Sequence, residues 1–314
     1  MNITILGCGE YGLALASVFL EKDYNKVCVW NKFEKEIIEV QEKYLNISFT
    51  TNLEDAIERA DLIVIAIPVP FLEETIISLK DIYNNQDILI ASKGIDTRCQ
   101  LFAVEIIEKH LGNINVGVIS GGTFAKDMKK RHVMGITLAT KVDSIKEKIK
   151  KAFENNFLKV QYIDDVIGVS ICGSIKNVMA IGFGLLGGAN YPPSSKFLFL
   201  TEAIYEIKYL IETLGGDENT VMSYAGIDDI MMTCTSVESR NYTLGFMLGS
   251  RASIDDIEIY KKNTTIEGLA TSEAIYKLAS NKGINLPITF VIYKILYQNA
   301  DIQELINLLE KVES

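Results

Sequence analysis

Six residues near the start of the chain, Gly7-Cys8-Gly9-Glu10-Tyr11-Gly12, limit what it can fold into more than any other stretch. They follow a β-rich run, Ile3-Thr4-Ile5-Leu6, and open onto residues 13–20, whose small and apolar side chains suit a buried helix. A second β-rich run comes next, at residues 26–30. Strand, glycine turn, helix, strand is the order of a parallel βαβ unit, and each glycine has a separate reason to be there. Gly7 permits the tight turn, Gly9 lets the backbone approach a pyrophosphate, and Gly12 lets the helix lie close on the sheet. The helix N-terminus then faces the phosphate charge. A flavin site or a purely structural turn can use the same spacing. Its place between a first strand and a first helix points instead to a nicotinamide dinucleotide.

The next hundred residues keep the alternation going. Residues 62–67, 88–91, 116–119 and 136–139 read as strands, several of them continuously apolar, as parallel strands covered on both faces are. Amphipathic segments at 53–59, 72–83 and 101–111 lie between them. The pattern predicts an α/β fold, a Rossmann-type doubly wound sheet. From about Asp165 the strand signal fades and helical spacing takes over. The expected organisation is therefore a dinucleotide-binding domain over residues 1–164 and an all-α substrate and catalytic domain over 165–314. The longest apolar run, 167–188, carries Lys176 and Asn177 near its middle. A lysine at a bilayer centre costs roughly 2.5–3.5 kcal/mol on insertion scales, so the run is expected to be a buried helix and not a membrane span.

Composition closes off other classes. Lys+Arg number 31 against 41 Asp+Glu, a net charge of −10 over 314 residues, which is the wrong sign for a nucleic-acid binder. The five cysteines (Cys8, Cys28, Cys99, Cys172, Cys234) are odd in number, dispersed and without a CxxC, so neither a disulfide framework nor a zinc site is expected. That usage fits a reducing compartment, and the chain shows no leader-like segment, so a cytoplasmic location is expected. The two histidines, His110 and His132, fall at the end of an amphipathic segment and among Lys129, Lys130 and Arg131. Both are expected on the surface, which leaves acid–base work to another residue type.

In open α/β sheets, ligands sit beyond the carboxyl ends of the strands. The second strand ends in Trp30-Asn31-Lys32-Phe33-Glu34, with no acid at its tip. Lys32 suits a ribose 2′-phosphate and leans the reading towards NADPH; Glu34 is near enough to keep NADH open. Ser92-Lys93-Gly94 and Ser120-Gly121-Gly122-Thr123-Phe124-Ala125 follow later strands, so Lys93 is expected to bring a positive charge to the ligand. In Gly173-Ser-Ile-Lys176-Asn177 a lysine and an amide interrupt an apolar helix. Such groups are rarely buried unless paired, and desolvation suits a lysine to proton transfer. Asp228 and Asp229, within Gly226-Ile-Asp-Asp229, could cap a helix. Further on, Ser239-Arg240-Asn241 groups a hydroxyl, a guanidinium and an amide suited to a phosphate or carboxylate.

In this order, these clusters resemble the NAD(P)-dependent sn-glycerol-3-phosphate dehydrogenases, as a divergent bacterial-type member. The likeness runs on through Thr233-Cys-Thr-Ser236, Ile266-Glu267-Gly268 and Leu286-Pro287-Ile288-Thr289 and covers nearly the whole chain. It implies that Lys176 exchanges a proton with the substrate's C2 oxygen, that Asn177 stands beside it, and that Asp229 orients it. Lys93, Gly121, Thr123, Ser239, Arg240 and Asn241 would contact the substrate, the last three at its phosphate end. Gly7, Gly9, Glu10, Tyr11, Gly12, Lys32, Lys93, Ala125, Arg240, Ile266 and Glu267 would line the cofactor. The implied reaction is reversible hydride transfer between NAD(P)H and dihydroxyacetone phosphate, feeding glycerophospholipid synthesis, in a homodimer that needs no metal.

The chain departs from the family pattern at several places. Gly122 stands where a proline is usual, Val69-Pro70 replaces Ser-His, Ser194 replaces an asparagine, and Tyr242 follows Asn241 where an arginine is usual. The segment 44–50 is also shortened. Two alternatives stay open from sequence: a dehydrogenase of another phosphorylated ketone, and a cofactor-binding sensor without turnover.

Overall fold

A computed structural model describes residues 1–153 and 157–311. The chain divides into two compact units, one of residues 1–93 and 101–166, the other of residues 94–100 and 167–314.

The first unit is built on one eight-stranded sheet: β1 (Asn2–Leu6), β2 (Lys26–Trp30), β3 (Ser48–Thr50), β4 (Leu62–Ile65), β5 (Asp87–Ile90), β6 (Val116–Ser120), β7 (Met134–Ala139) and β8 (Leu158–Ile163), in the spatial order β3-β2-β1-β4-β5-β6-β7-β8. All neighbours pair in parallel except β6 and β7. The reversal of order on either side of β1 and β4 is the doubly wound arrangement that sequence predicts. Continuous apolar runs form the centre: every residue of β4, β5 and β6 is buried. Among the described residues, seven α-helices serve this unit: α1 (Glu10–Phe19), α2 (Glu34–Gln41), α3 (Leu53–Ile57), α4 (Leu72–Leu79), α5 (Ala103–Leu111), α6 (Ala125–Lys129) and α7 (Asp143–Phe153). Helix α1 is buried along most of its length, and its end packs Phe19 on Phe153 with ring centres 5.1 Å apart.

Two strands, β3 and β8, lie outside the six that sequence predicts. The third strand along the chain is the three-residue Ser48–Thr50, so the run at 62–65 is the fourth, and it ends two residues earlier than its apolar pattern. β8 alternates Leu158-Lys-Val-Gln-Tyr-Ile163, since an edge strand keeps one side in water. His110 is half-buried and sits 3.0 Å from Glu73, which corrects the expectation of an open surface site. His132 is exposed as expected.

The second unit is helical: α8 (Val166–Gly188), α9 (Pro193–Thr213), α10 (Asp229–Thr235), α11 (Arg240–Gly249), α12 (Ile254–Asn263), α13 (Glu267–Lys282), α14 (Pro287–Tyr297) and α15 (Gln303–Leu309). Among the described residues, α8 is the one helix long and apolar enough to cross a membrane, and 83% of its apolar window is buried against the rest of the protein. It is a core helix. The helical pattern that sequence carries past residue 188 is broken by Asn190, in the left-handed region at φ 60°, before Pro192 and Pro193 start α9. Helices α8 and α11 touch backbone to backbone. A Cβ on Gly184 would run into the Tyr242 carbonyl, and one on Gly188 into that of Phe246. From the other side, Gly245 meets the Ile181 carbonyl and Gly249 that of Leu185. Both glycine pairs are spaced four residues apart, so each pair lines one face of its helix.

Candidate active site

The outer glycines of the loop take the tight-turn and close-packing places that their spacing predicts. Gly7 sits at φ 114°, beyond the reach of an ordinary side chain, and its N–H donates to the Trp30 carbonyl at 2.8 Å. A Cβ on Gly7 would lie 2.7 Å from the Ala66 carbonyl oxygen, and one on Gly12 would lie 2.5 Å from that of Gly7. Nothing comes within 4 Å of a Cβ placed on Gly9. The outer two glycines thus answer to the protein's own packing, while the middle one leaves its backbone open to an approaching group. Helix α1 starts there with Gly9 as its N-cap and no side chain capping the first turn. Its first N–H groups are therefore offered outward, which fits a pyrophosphate.

Around this loop the first unit gathers four of the expected residues. The Lys93 ammonium donates to the Gly121 carbonyl at 3.4 Å and stands 5.8 Å from the centre of the Tyr11 ring. The Tyr11 hydroxyl is 3.3 Å from Thr123 Oγ1, which in turn donates to the Gly121 carbonyl at 3.3 Å. Gly121 has no room for a side chain, because a Cβ would lie 2.5 Å from the Gly135 carbonyl oxygen. Ala125 opens α6 directly after this segment. Lys32 stands apart from the group and pairs with Glu74 at 2.6 Å, both being more than half exposed. Glu34 is exposed in the first turn of α2. The acid that reaches the glycine loop is Glu36, which sequence did not single out. It accepts from Asn31 Nδ2 at 2.9 Å and takes a weak contact from the Cys8 thiol at 3.9 Å. Burial, reinforced by the Glu36 charge, holds that thiol above its ordinary pKa and keeps it neutral.

The second unit assembles the rest on four helices, α8, α10, α11 and α13. Lys176 is 7% exposed in the middle of α8, and Asp229 is wholly buried at the start of α10. The Lys176 ammonium donates to Asp229 Oδ1 and, at 3.2 Å, to Thr233 Oγ1. Thr233 also bonds Asp229 Oδ1, at 3.3 Å, so three side chains close a triangle. Asp229 does not cap its helix: Asp228 takes the N-cap position without a side-chain capping bond, and a π-helical turn over Tyr224–Asp228 leads into it. Thr233 stands in a stretch that carries the family resemblance, but sequence assigns it no role. It lies one helical turn after Asp229, a spacing that puts both on one face. Beside them Cys234 is fully buried, and burial pushes its thiol well up.

A second network runs from the same helix. Asn177 Nδ2 donates to Glu267 Oε2 at 3.0 Å, Asn241 Nδ2 donates to Asn177 Oδ1 at 2.9 Å, and the Gly268 N–H donates to Asn241 Oδ1 at 2.9 Å. A backbone donor at one end and a carboxylate at the other fix both amide orientations. Asn177, Asn241 and Glu267 are thereby brought together. Ser239 is buried and caps α11, its hydroxyl oxygen accepting from the Tyr242 N–H at 3.2 Å. Arg240 follows it, exposed, at the first helical position, and Ile266 is the buried N-cap residue of α13. Tyr242 joins an aromatic cluster, with its ring centre 6.4 Å from Phe183 and 6.2 Å from Phe246.

A doubly wound sheet with an open glycine loop, carried on one chain with a dry lysine–carboxylate pair, defines a dinucleotide-dependent oxidoreductase. Comparison with known proteins narrows this. Residues 2–146 match the family described as NAD-dependent glycerol-3-phosphate dehydrogenase N-terminus, and residues 165–307 match its C-terminus. The chain belongs to the NAD-dependent glycerol-3-phosphate dehydrogenase family. It is 32% identical over 319 aligned positions to the glycerol-3-phosphate dehydrogenase [NAD(P)+] of Staphylococcus aureus, covering 96% of each chain. The Staphylococcus saprophyticus counterpart is 30% identical with the same coverage. Among solved structures, the glycerol-3-phosphate dehydrogenase of Coxiella burnetii superposes with a TM-score of 0.92 at 27% identity, covering 99% of both chains. The Saccharomyces cerevisiae enzyme shares the fold, with a TM-score of 0.87 at 22% identity and the same coverage.

Proposed function

We propose that this protein interconverts dihydroxyacetone phosphate and sn-glycerol 3-phosphate. The observation that carries the reading is the buried lysine held between a carboxylate and a hydroxyl, on a chain whose glycine loop fits a dinucleotide. A dinucleotide held at the Gly7, Gly9 and Gly12 loop would supply the hydride exchanged with C2 of the ketone. Lys176 donates a proton to the C2 oxygen on reduction and recovers it on oxidation. Asp229 and Thr233 hold the ammonium in one orientation, so little side-chain freedom is lost at the moment of reaction. Asn177 stands next to the lysine on the helix and fixes the amide of Asn241. Ser239, Arg240 and Asn241 take the phosphate end, where the exposed guanidinium supplies the charge. Lys93, Gly121 and Thr123 contact the substrate.

For the cofactor, Gly7, Gly9 and Gly12 shape the pyrophosphate loop. Glu10, Tyr11, Lys93, Ala125, Arg240, Ile266 and Glu267 line the site. Lys32 reads a ribose 2′-phosphate in exchange for its partner Glu74, which favours NADPH over NADH. In this reading residues 1–164 form the dinucleotide-binding domain and residues 165–314 the catalytic one. The enzyme works as a homodimer in the cytoplasm and supplies glycerophospholipid synthesis.

The test is oxidation of NADPH and of NADH, followed by nicotinamide absorbance with dihydroxyacetone phosphate as substrate. Consumption that depends on this ketone is the expected result. Cofactor binding with no consumption would overturn the substrate assignment. A panel of other phosphorylated ketones would then separate a changed substrate, to which the Gly122 loop would contribute, from a sensor without turnover.

A further inference from the structure

Charge is spread unevenly over the first unit. The chain as a whole carries −10, yet residues 126–132 read Lys-Asp-Met-Lys-Lys-Arg-His, four cations to one acid with the histidine neutral. They occupy α6 and the turn into β7, where Arg131 adopts a φ of 57°. Met128 anchors the segment in the core at 1% exposure, while Lys126, Lys129, Lys130, Arg131 and His132 are all exposed. Two ties hold the turn in shape: Arg131 Nε to Glu21 Oε1 at 2.8 Å, and His132 Nδ1 with Asp127 Oδ1 at 3.2 Å. The Lys129 ammonium stands 5.6 Å from the centre of the Tyr44 ring, so the turn after α2 belongs to the same surface and adds Lys43 and Leu45. Leu45 and the Val133 that ends the basic run are 88% and 83% exposed, more than any other large apolar side chain among the described residues.

We propose that this surface docks on an anionic lipid bilayer, with Lys43, Lys126, Lys129 and Lys130 among the headgroups and Leu45 and Val133 entering the acyl boundary. Charge complementarity carries the argument. Clusters of four to eight cations are the range in which anionic leaflets hold a protein surface, each cation changing partitioning about fivefold. The rest of the chain is acidic on balance, so the net charge outside this surface is repelled by a negative bilayer. The bare aliphatic side chains decide between partners. A nucleic acid would match the lysines but leave Leu45 and Val133 in water, and Tyr44 lies half-buried beneath Lys129 instead of offering a face for base stacking.

The surface is independent of the reaction assigned above, and its test does not use that reaction. The full chain is sedimented with phosphatidylcholine vesicles, with and without phosphatidylglycerol. Binding is expected only when the anionic lipid is present, weakening as salt rises. The double variant Lys43→Gln/Lys130→Gln should lose about 25-fold in partitioning, two fivefold steps. Leu45→Ser/Val133→Ser should also bind more weakly, and both variants should keep the parent's thermal midpoint, since all four side chains are exposed. Equal binding to both kinds of vesicle would overturn the proposal, as would a lysine variant that binds like the parent. Anionic binding that ignores Leu45→Ser/Val133→Ser and is competed by a soluble polyanion would assign the surface to an acidic macromolecule instead.

Discussion

At the scale of single residues, the proposed reaction rests on keeping one lysine dry and oriented. Lys176→Met keeps the bulk and removes the proton carrier. It should leave dinucleotide binding within about twofold by fluorescence titration while lowering turnover by about 10²–10⁴-fold, the usual contribution of a positioned acid–base group. Unchanged turnover would remove the role. Asp229→Asn tests the partner: it leaves the buried ammonium without its counter-charge, and breaking such a pair costs about 3–5 kcal/mol. A chemical-denaturation midpoint unmoved by that change would mean the pair contributes nothing to folding. Lys32 is a separate matter because it is exposed. Lys32→Asp should shift the NADPH-to-NADH rate ratio towards NADH, and a constant ratio would pass the reading of the ribose to another residue. Lys176 was legible because a charge breaks an apolar run. That Asp229 lies across from it, 53 positions away, is a fact of tertiary packing that no local pattern encodes. Thr233 could have been found from its one-turn spacing to Asp229, and Glu36 had no signal at all.

At the scale of elements, sequence conveyed the central strands because each is a continuous apolar run covered on both faces. It missed β3, which is three residues long, and β8, whose alternation with lysine and glutamine dilutes its apolar content. The break between α8 and α9 was hidden because the helical pattern resumes after Pro193, and the stop is a left-handed asparagine instead of a glycine. Backbone contact between α8 and α11 makes a sharp prediction. Gly245→Ala gains about 1 kcal/mol of helix propensity. The new methyl would meet the Ile181 carbonyl, and overpacking of this kind costs about 3 kcal/mol or more when backbone has to move. A net loss of about 2 kcal/mol is therefore expected in the denaturation free energy. A stabilised variant would show that the two helices can part without penalty.

At the scale of the whole molecule, one buried carboxylate should leave its mark on stability against pH. Glu206, on α9, accepts from the Ile288 and Thr289 N–H groups at 2.7 and 2.9 Å and from the Thr289 hydroxyl at 2.6 Å, and so caps α14 from a different helix. Burial raises its pKa to about 6, partly offset by the Thr289 and Ile288 hydrogen bonds. Because the folded-state value lies above the ordinary 4.5, the folded protein binds the proton more tightly than the unfolded chain. The contribution is full below that ordinary value and is lost as pH rises through about 6, by about 2 kcal/mol in all. Asp87 and Asp96 act in the opposite sense. Burial pushes each up, but Lys148, Ser144 and Asn115 on Asp87, and Arg98 with two backbone N–H groups on Asp96, outweigh it and hold both low. Their contribution is present at neutral pH and fades in acid, below the ordinary aspartate range. Denaturation midpoints collected from pH 4.5 to 7 should fall for the parent protein and stay level for Glu206→Gln; parallel curves would contradict the assignment.

The glycine seam between α8 and α11 also bears on how a protein of this kind can change over generations. Every non-glycine codon at positions 184, 188, 245 or 249 adds at least one carbon where a carbonyl already stands. Change at these four positions is therefore opposed, which holds the separation of two helices, one carrying Lys176 and the other opening at Ser239-Arg240-Asn241. In the proposed reaction, a change of substrate then falls to segments outside this seam, such as Ser120-Gly121-Gly122.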